Sequence, residues 1–218
     1  MIITLDSAAV GTGLGAEVPA LSLVADTGVT VLAVETAERP MLVSLLLGGR
    51  LRPDEGAVLV DGRDDAAELR RRTALVDTPV VAEPVAGVSL MTVVTEEFSF
   101  AGIRASRYGV RGFLERHELL GYAKVAVRAL PPADRVRLFC ELALLRPGIE
   151  GLIVTSPERH GGDPAAWYST LAALGERGIT VVIVTDLPTA ALVSSPSALP
   201  TAALVSSPSA LPTAEALS

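Results

Sequence analysis

The chain has 218 residues, half of them hydrophobic and a fifth charged, a balance that predicts one globular domain of medium size and excludes a wholly disordered protein. A net charge of −7 argues against nucleic acid as a partner, because phosphate backbones are met by clustered basic residues. Cys140 is the single cysteine, so a disulfide framework and paired-cysteine metal or redox motifs are excluded, and no apolar run reaches the ~18 residues that cross a bilayer.

MIITLD (1–6) reads as a strand; it lacks the basic stretch and cleavage site of an export signal, so a cytoplasmic location is expected. A glycine-rich loop, GTGLGAEV, separates it from a second strand, PALSLVAD (19–26). VTVLAV (29–34) is a buried central strand, and MLVSLLLGGR (41–50) predicts a helix with Leu45, Leu46 and Leu47 on its apolar face. Pro53, Asp54, Glu55 and Gly56 make a turn into a short strand, AVLV (57–60), and DGRD turns again. Residues 65–72 predict a helix whose Arg70, Arg71 and Arg72 form a solvated end, followed by the strand TALVD (73–77).

Apolar spacing of three to four residues predicts helices over 89–102, 110–122 and 132–145, with Pro131 and Pro132 suited to a first helical turn. GLIVTS (151–156) and ITVVIVTD (179–186) are buried strands flanking an amphipathic helix over 165–178, in which Trp167 and Tyr168 are expected to pack in the core. Strands alternating with helices imply an α/β domain with a mostly parallel sheet covered on both faces. From Leu187 the text repeats with a period of twelve: LPTAALVSSPSA twice, then LPTAEALS. Its only charge is Glu215, and the Pro- and Ser-rich composition predicts a disordered or linker-like tail over 187–218.

A phosphate-cradling loop between a buried strand and a helix reads G-x-x-x-x-G-K-[ST], because bare backbone N–H groups and one ammonium must face the β- and γ-phosphates. Here the strand and the helix are in place, but the joining residues Glu35, Thr36, Ala37, Glu38, Arg39 and Pro40 include no glycine and no lysine, and two of them are carboxylates. The chain's one lysine, Lys124, lies far away in sequence.

GGRLRPDEGAVLVDG (48–62), TALVDTP (73–79), ALPPADRVRLFCELALLRP (129–147), GLIVTSPERHGGDP (151–164) and VVIVTD (181–186) follow one another in an order that resembles the ATP-binding cassette (ABC) domain of ABC transporters, over about residues 1–186. The resemblance implies a P-loop NTPase-like α/β fold with a helical insert at about 89–145. Within it, each landmark keeps its hydrophobic frame and loses its reactive residue. Pro40 stands for the phosphate lysine, Met41 for the magnesium-binding hydroxyl, Leu42 for the threonine beside it, and Val34 and Arg39 for the framing glycines. Thr78 falls at the Q-loop glutamine, Thr155 at the Walker B aspartate and Ser156 at the water-orienting glutamate. Pro131, Pro132, Ala133 and Asp134 stand where Ser-Gly-Gly-Gln belongs, and Asp186 replaces the switch histidine. Asp163, the D-loop aspartate, is retained. No aromatic residue precedes the loop to stack on adenine.

The resemblance therefore implies a non-hydrolysing scaffold or regulatory subunit with no catalytic, cofactor-binding or metal-binding residues and no ATP or magnesium held. Its expected partner is a permease or other polytopic membrane protein, docked through the groove near Thr78 and the 89–122 helices at the inner face of the membrane. Pairing with a second copy or another ABC domain is the family's habit; with PPAD at the signature position, both composite nucleotide sites would be impaired. The alternative is a divergent ABC ATPase that still binds ATP. A second alternative is a dinucleotide-binding Rossmann protein, since GTGLGA (11–16) matches G-x-G-x-x-[GA] and Glu35 ends the next strong strand as a ribose-binding acid should. Other constellations are thinner. His117-Glu118 does not continue to a second histidine, no G-x-S-x-G elbow occurs, and Asp64-Asp65 and Glu96-Glu97 sit in polar, solvated stretches.

Overall fold

A computed structural model describes residues 1–35 and 39–194. Its seven strands form two sheets. β1 (Ile3–Val10), β2 (Val18–Ala25) and β4 (Glu55–Val60) make an antiparallel sheet in the order β2-β1-β4. β3 (Gly28–Ala33), β5 (Thr73–Val76), β6 (Gly151–Thr155) and β7 (Thr180–Thr185) make a parallel sheet in the order β3-β7-β6-β5. The expected mostly parallel sheet is the four-stranded one, and the antiparallel sheet accompanies it, as the mixed α/β fold of the resemblance implies. Connection length sets the strand direction there: the link at 11–17 is too short for a parallel crossover, which takes a dozen residues or more, so β1 and β2 must run antiparallel. β6 and β7 are buried from end to end, which is why they read as unbroken apolar runs.

The period-two alternation of the parallel strands divides the core. Leu32, Leu75, Ile153, Val182 and Val184 face the antiparallel sheet and α1 (Arg39–Leu47), which lies between the two sheets. Val76, Leu152, Val154, Val181 and Ile183 face the opposite way, into a second core. That core is closed by α3 (Leu90–Phe100), α4 (Arg107–Arg116), α5 (Pro132–Ala143) and α6 (Pro164–Glu176). Trp167 is fully buried there, as its helical position predicted, and Phe98 meets Phe113 edge to face with ring centroids 5.4 Å apart.

Local chemistry sets the boundaries. α2 (Ala66–Arg72) starts on Asp65, whose carboxylate accepts the Glu68 amide at 2.9 Å, and α3 and α4 start on Ser89 and Ser106 in the same manner. α1 ends where Gly49 adopts φ +65°; a Cβ there would lie 2.8 Å from the Ala66 carbonyl oxygen, so glycine also lets α2 approach. The three arginines at the end of α2 are more engaged than a solvated end requires. Arg70 donates to the Gly49 carbonyl at 2.7 Å, Arg71 pairs with Glu68, and Arg72 bridges Asp61 and Glu150 at 2.6 Å each.

Two expectations are corrected. GTGLGA does not lead a strand into a helix: Gly13–Gly15 is a single 3-10 turn inside the β1–β2 hairpin, so the dinucleotide reading of these glycines and Glu35 fails. The tail does not begin at residue 187 either. The first repeat copy forms α7 (Leu187–Val193), packed on α6 and β3, because Asp186 supplies an N-cap (its carboxylate accepts the Thr189 amide at 2.7 Å) and Pro188 is tolerated in a first turn. The rest of the expected tail, 195–218, lies outside the described residues, as do loop residues Thr36, Ala37 and Glu38.

Candidate functional site

β3, α1 and the end of β6 meet where a strand–loop–helix would present a phosphate cradle. Arg39 and Pro40 form the first turn of α1; Arg39 Nε is turned away to donate to the Glu17 carbonyl, just before β2, at 2.8 Å, and Pro40 is buried. Proline contributes no N–H to such a cradle. Met41 and Leu42 follow, half-buried, neither offering an oxygen.

Below them lies a closed group of hydroxyls. Thr155, at the end of β6, donates from Oγ1 to Ser44 Oγ on α1 at 2.8 Å, and its oxygen lies 2.7 Å from Thr78 Oγ1. All three side chains are buried to 1% exposure or less. They are neutral, so the group carries none of the negative charge that a divalent cation with phosphate ligands calls for. Thr78 and Thr155 were singled out by position in the sequence; Ser44 was not, because it sits among leucines on a helix whose apolar face reads as pure core. Ser156, beside Thr155, adopts φ +46° and points no acid toward this place; its amide donates to the Val184 carbonyl at 2.8 Å.

Next to the hydroxyls is a buried charge cluster. Asp77, directly after β5, is 5% exposed and takes a bidentate grip from Arg135 of α5, with Nε at 2.6 Å and Nη2 at 2.7 Å. Arg159, in the turn after β6, adds contacts at 3.0 Å to the Asp77 carboxylate and 2.5 Å to its carbonyl, and reaches Glu83 at 3.1 Å. His160 Nε2 lies 2.8 Å from Asp77 Oδ2, close enough to favour the ionised acid, although off the axis of a hydrogen bond and without another acceptor. Burial alone would raise the Asp77 pKa; the polar contacts of His160 and Arg135 and the charges of Arg135 and Arg159 outweigh it and hold the carboxyl at about 2. Asp77, Glu83 and His160 could group three ligand atoms, but two guanidiniums already occupy Asp77, so the cluster is built as an ion-pair network. None of these roles was legible in sequence, since the partners lie 58 to 83 positions apart.

A groove of about 420 Å³ opens beyond Asp77, between the 77–85 segment, α3 and α5. Val81, Val85, Val93, Phe100 and Phe139 line it, and Arg50, Glu96 and Arg146 stand on its walls. Large apolar side chains are exposed at its rim: Val80 at 94%, Val85 at 73% and Phe100 at 72%. Val80 adopts φ +65°, a conformation a β-branched residue enters only against strain. Thr78, near which a docking groove was expected, points into the hydroxyl group, and the groove is walled by the residues after it.

The remaining landmark residues make local contacts. Asp163 caps α6, accepting the Ala165 amide at 3.0 Å, and Asp186 caps α7. Pro131 and Pro132 open α5 with no side-chain cap, and Asp134 pairs with Arg137 at 2.8 Å. Cys140 is fully buried, which pushes its thiol pKa up and makes it inert. No helix among the described residues is long and apolar enough to cross a membrane.

No protein-family model and no curated protein matches the chain. Solved structures do. It is similar to cbiO1 from Clostridium perfringens, part of the ABC transporter complex cbiONQ, with TM-score 0.60 and 17% identity over 84% of this chain and 78% of that one. It is similar to a nucleotide-free ATP-binding cassette of an ABC transporter, with TM-score 0.63 and 16% identity over 88% and 83%. A third similar structure is an ABC transporter ATP-binding protein from Pyrococcus furiosus, with TM-score 0.63 and 12% identity over 85% and 92%. The strand order, the helices over the second core and these likenesses agree: the chain has the fold of the ATP-binding cassettes of ABC transporters.

Proposed function

We propose that this chain is a non-hydrolysing cassette that serves as a scaffold or regulatory subunit for a polytopic membrane protein, held at the cytoplasmic face of the membrane through the groove beyond Asp77. The observation that carries the first half is the Ser44–Thr78–Thr155 group: neutral hydroxyls satisfy one another where a phosphoryl-transfer site requires metal ligands. Pro40 in place of a lysine and Ser156 in place of a water-orienting acid point the same way. Phosphoryl transfer is positioning plus charge neutralisation, and each missing contact of that kind is worth about 3 kcal/mol of barrier, so their joint loss leaves no useful rate.

The second half rests on the rim of Val80, Val85 and Phe100, which a monomer has no reason to expose beside a cavity. Of the similar proteins, one is described as part of a transporter complex, and the same kind of assembly is what we infer for this chain. The test has two arms. Thermal melting with millimolar Mg-ATP is expected to leave Tm unchanged, whereas a saturable rise would favour a divergent ATP-binding cassette, because any ligand of the native state stabilises it by mass action. Recovery of the tagged chain with membranes of its own cell is expected to be lost in Val85→Asp and Phe100→Asp variants that melt like the parent. Recovery unchanged by both would remove the groove from the reading.

A further inference from the structure

The seat of α7 on β3 and α6 is made for a heptapeptide that the chain carries more than once. α7 is LPTAALV, residues 187–193, and the same seven residues recur at 199–205. In α7 the buried positions are Thr189, Ala190 and Val193, while Ala191 and Leu192 face solvent, Leu192 at 70% exposure. The third copy, LPTAEALS from Leu211, keeps threonine and alanine at the first two buried positions and puts leucine at the third. Its two other changes, Glu215 and Ala216, fall at the positions that α7 exposes. Threonine and alanine at the first two buried positions are therefore kept in every copy, an aliphatic side chain is kept at the third, and the polar change falls at a position that α7 exposes.

From this we propose that the β3–α6 surface is a peptide site for the repeat and that the 199–205 copy exchanges with α7 in the same chain. The native register is favoured for two reasons visible in the fold. Asp186 caps α7, whereas the residue before Leu199 is Ala198, a loss of about five-fold for a missing N-cap. Seating 199–205 also loops out twelve residues, a further factor of roughly 40 from loop closure. The shifted register is thus held in reserve some 200-fold below the native one, by the product of those two factors, and takes over when α7 is disabled. The consequence is a fold that tolerates gain, loss or damage of one repeat.

Thiol labelling tests this, because the native Cys140 is buried and does not react. Val205→Cys is expected to label rapidly in the otherwise native chain, where α7 holds the seat. Adding Ala190→Asp and Val193→Asp to disable α7, and Ala198→Asp to give the second copy its cap, is expected to slow that labelling at least five-fold, independently of protein concentration. Equal labelling in the two backgrounds would overturn the proposal, as would protection that appears only at high concentration, which would mean exchange between molecules. Should the multiple variant not fold, the milder Val193→Asp and Ala198→Asp pair in the Val205→Cys chain makes the same comparison, and equal labelling there would equally overturn the proposal. The synthetic peptide LPTAALVSS must also raise the Tm of a Val193→Asp chain ending at residue 198, while a scrambled peptide leaves it unchanged; failure of either sinks the proposal.

Discussion

Thr155→Val is the most discriminating perturbation of the candidate site. Thr155 Oγ1 is the hub between Ser44 Oγ at 2.8 Å and Thr78 Oγ1 at 2.7 Å, and neither of those hydroxyls has another hydrogen-bond partner among the described residues. Valine fills nearly the same volume, so the substitution removes hydrogen bonds with little cavity. It strands two buried polar groups, each costing about 1–3 kcal/mol, for a total of about 2–6 kcal/mol. Replacing all three, as Ser44→Ala, Thr78→Val and Thr155→Val together, leaves no stranded group and is expected to cost about 1 kcal/mol or less, because removing every partner is close to neutral. Equilibrium urea unfolding of the parent and the two variants at fixed slope measures this, and the single variant should unfold at a lower urea concentration than the triple. A triple variant less stable than Thr155→Val would refute the idea of a closed hydroxyl group.

Acid should reveal the Asp77 cluster. The carboxyl lies at about 2 in the fold against an ordinary value of 3.8, so the unfolded chain binds the proton more readily. Its contribution, about 2 kcal/mol, is present above about pH 4 and is lost as pH falls through 2, which urea midpoints measured across that range will show. Asp77→Asn should flatten this dependence and lower stability by about 3–5 kcal/mol at neutral pH, because Arg135 is left buried without its counter-ion. Gly49→Ala meets both a positive φ and the Ala66 carbonyl, and should cost about 1–3 kcal/mol. Gly62→Ala has φ +78° but open space, and should cost about 1 kcal/mol or somewhat more; the ordering of the two melting temperatures checks the argument.

The order of strands and helices was readable from pattern alone. Apolar runs at 151–156 and 179–186 gave buried parallel strands because both of their faces are covered, and the three- to four-residue apolar spacing over 89–102 placed α3. The composition of the 35–40 loop was equally plain: that it holds neither lysine nor glycine is read from the sequence itself. What filled the gap was not legible, since hydrogen bonds between Thr78 and Thr155 or Arg135 and Asp77 join residues with no local signature of each other.

Two local readings were overruled by context. GTGLGA carries a dinucleotide pattern, yet the short link to β2 leaves room only for a hairpin. LPTAALV carries a linker's composition, yet one copy becomes a helix because Asp186 and the β3–α6 surface lie beside it. The sequence by itself determined which segments are strands and helices and which residues fill the 35–40 loop, because periodicity and residue identity are local properties. Tertiary structure alone decided which hydroxyls and charges meet and where Leu187–Val193 packs, because burial and three-dimensional proximity turn an ordinary threonine or arginine into part of a cluster.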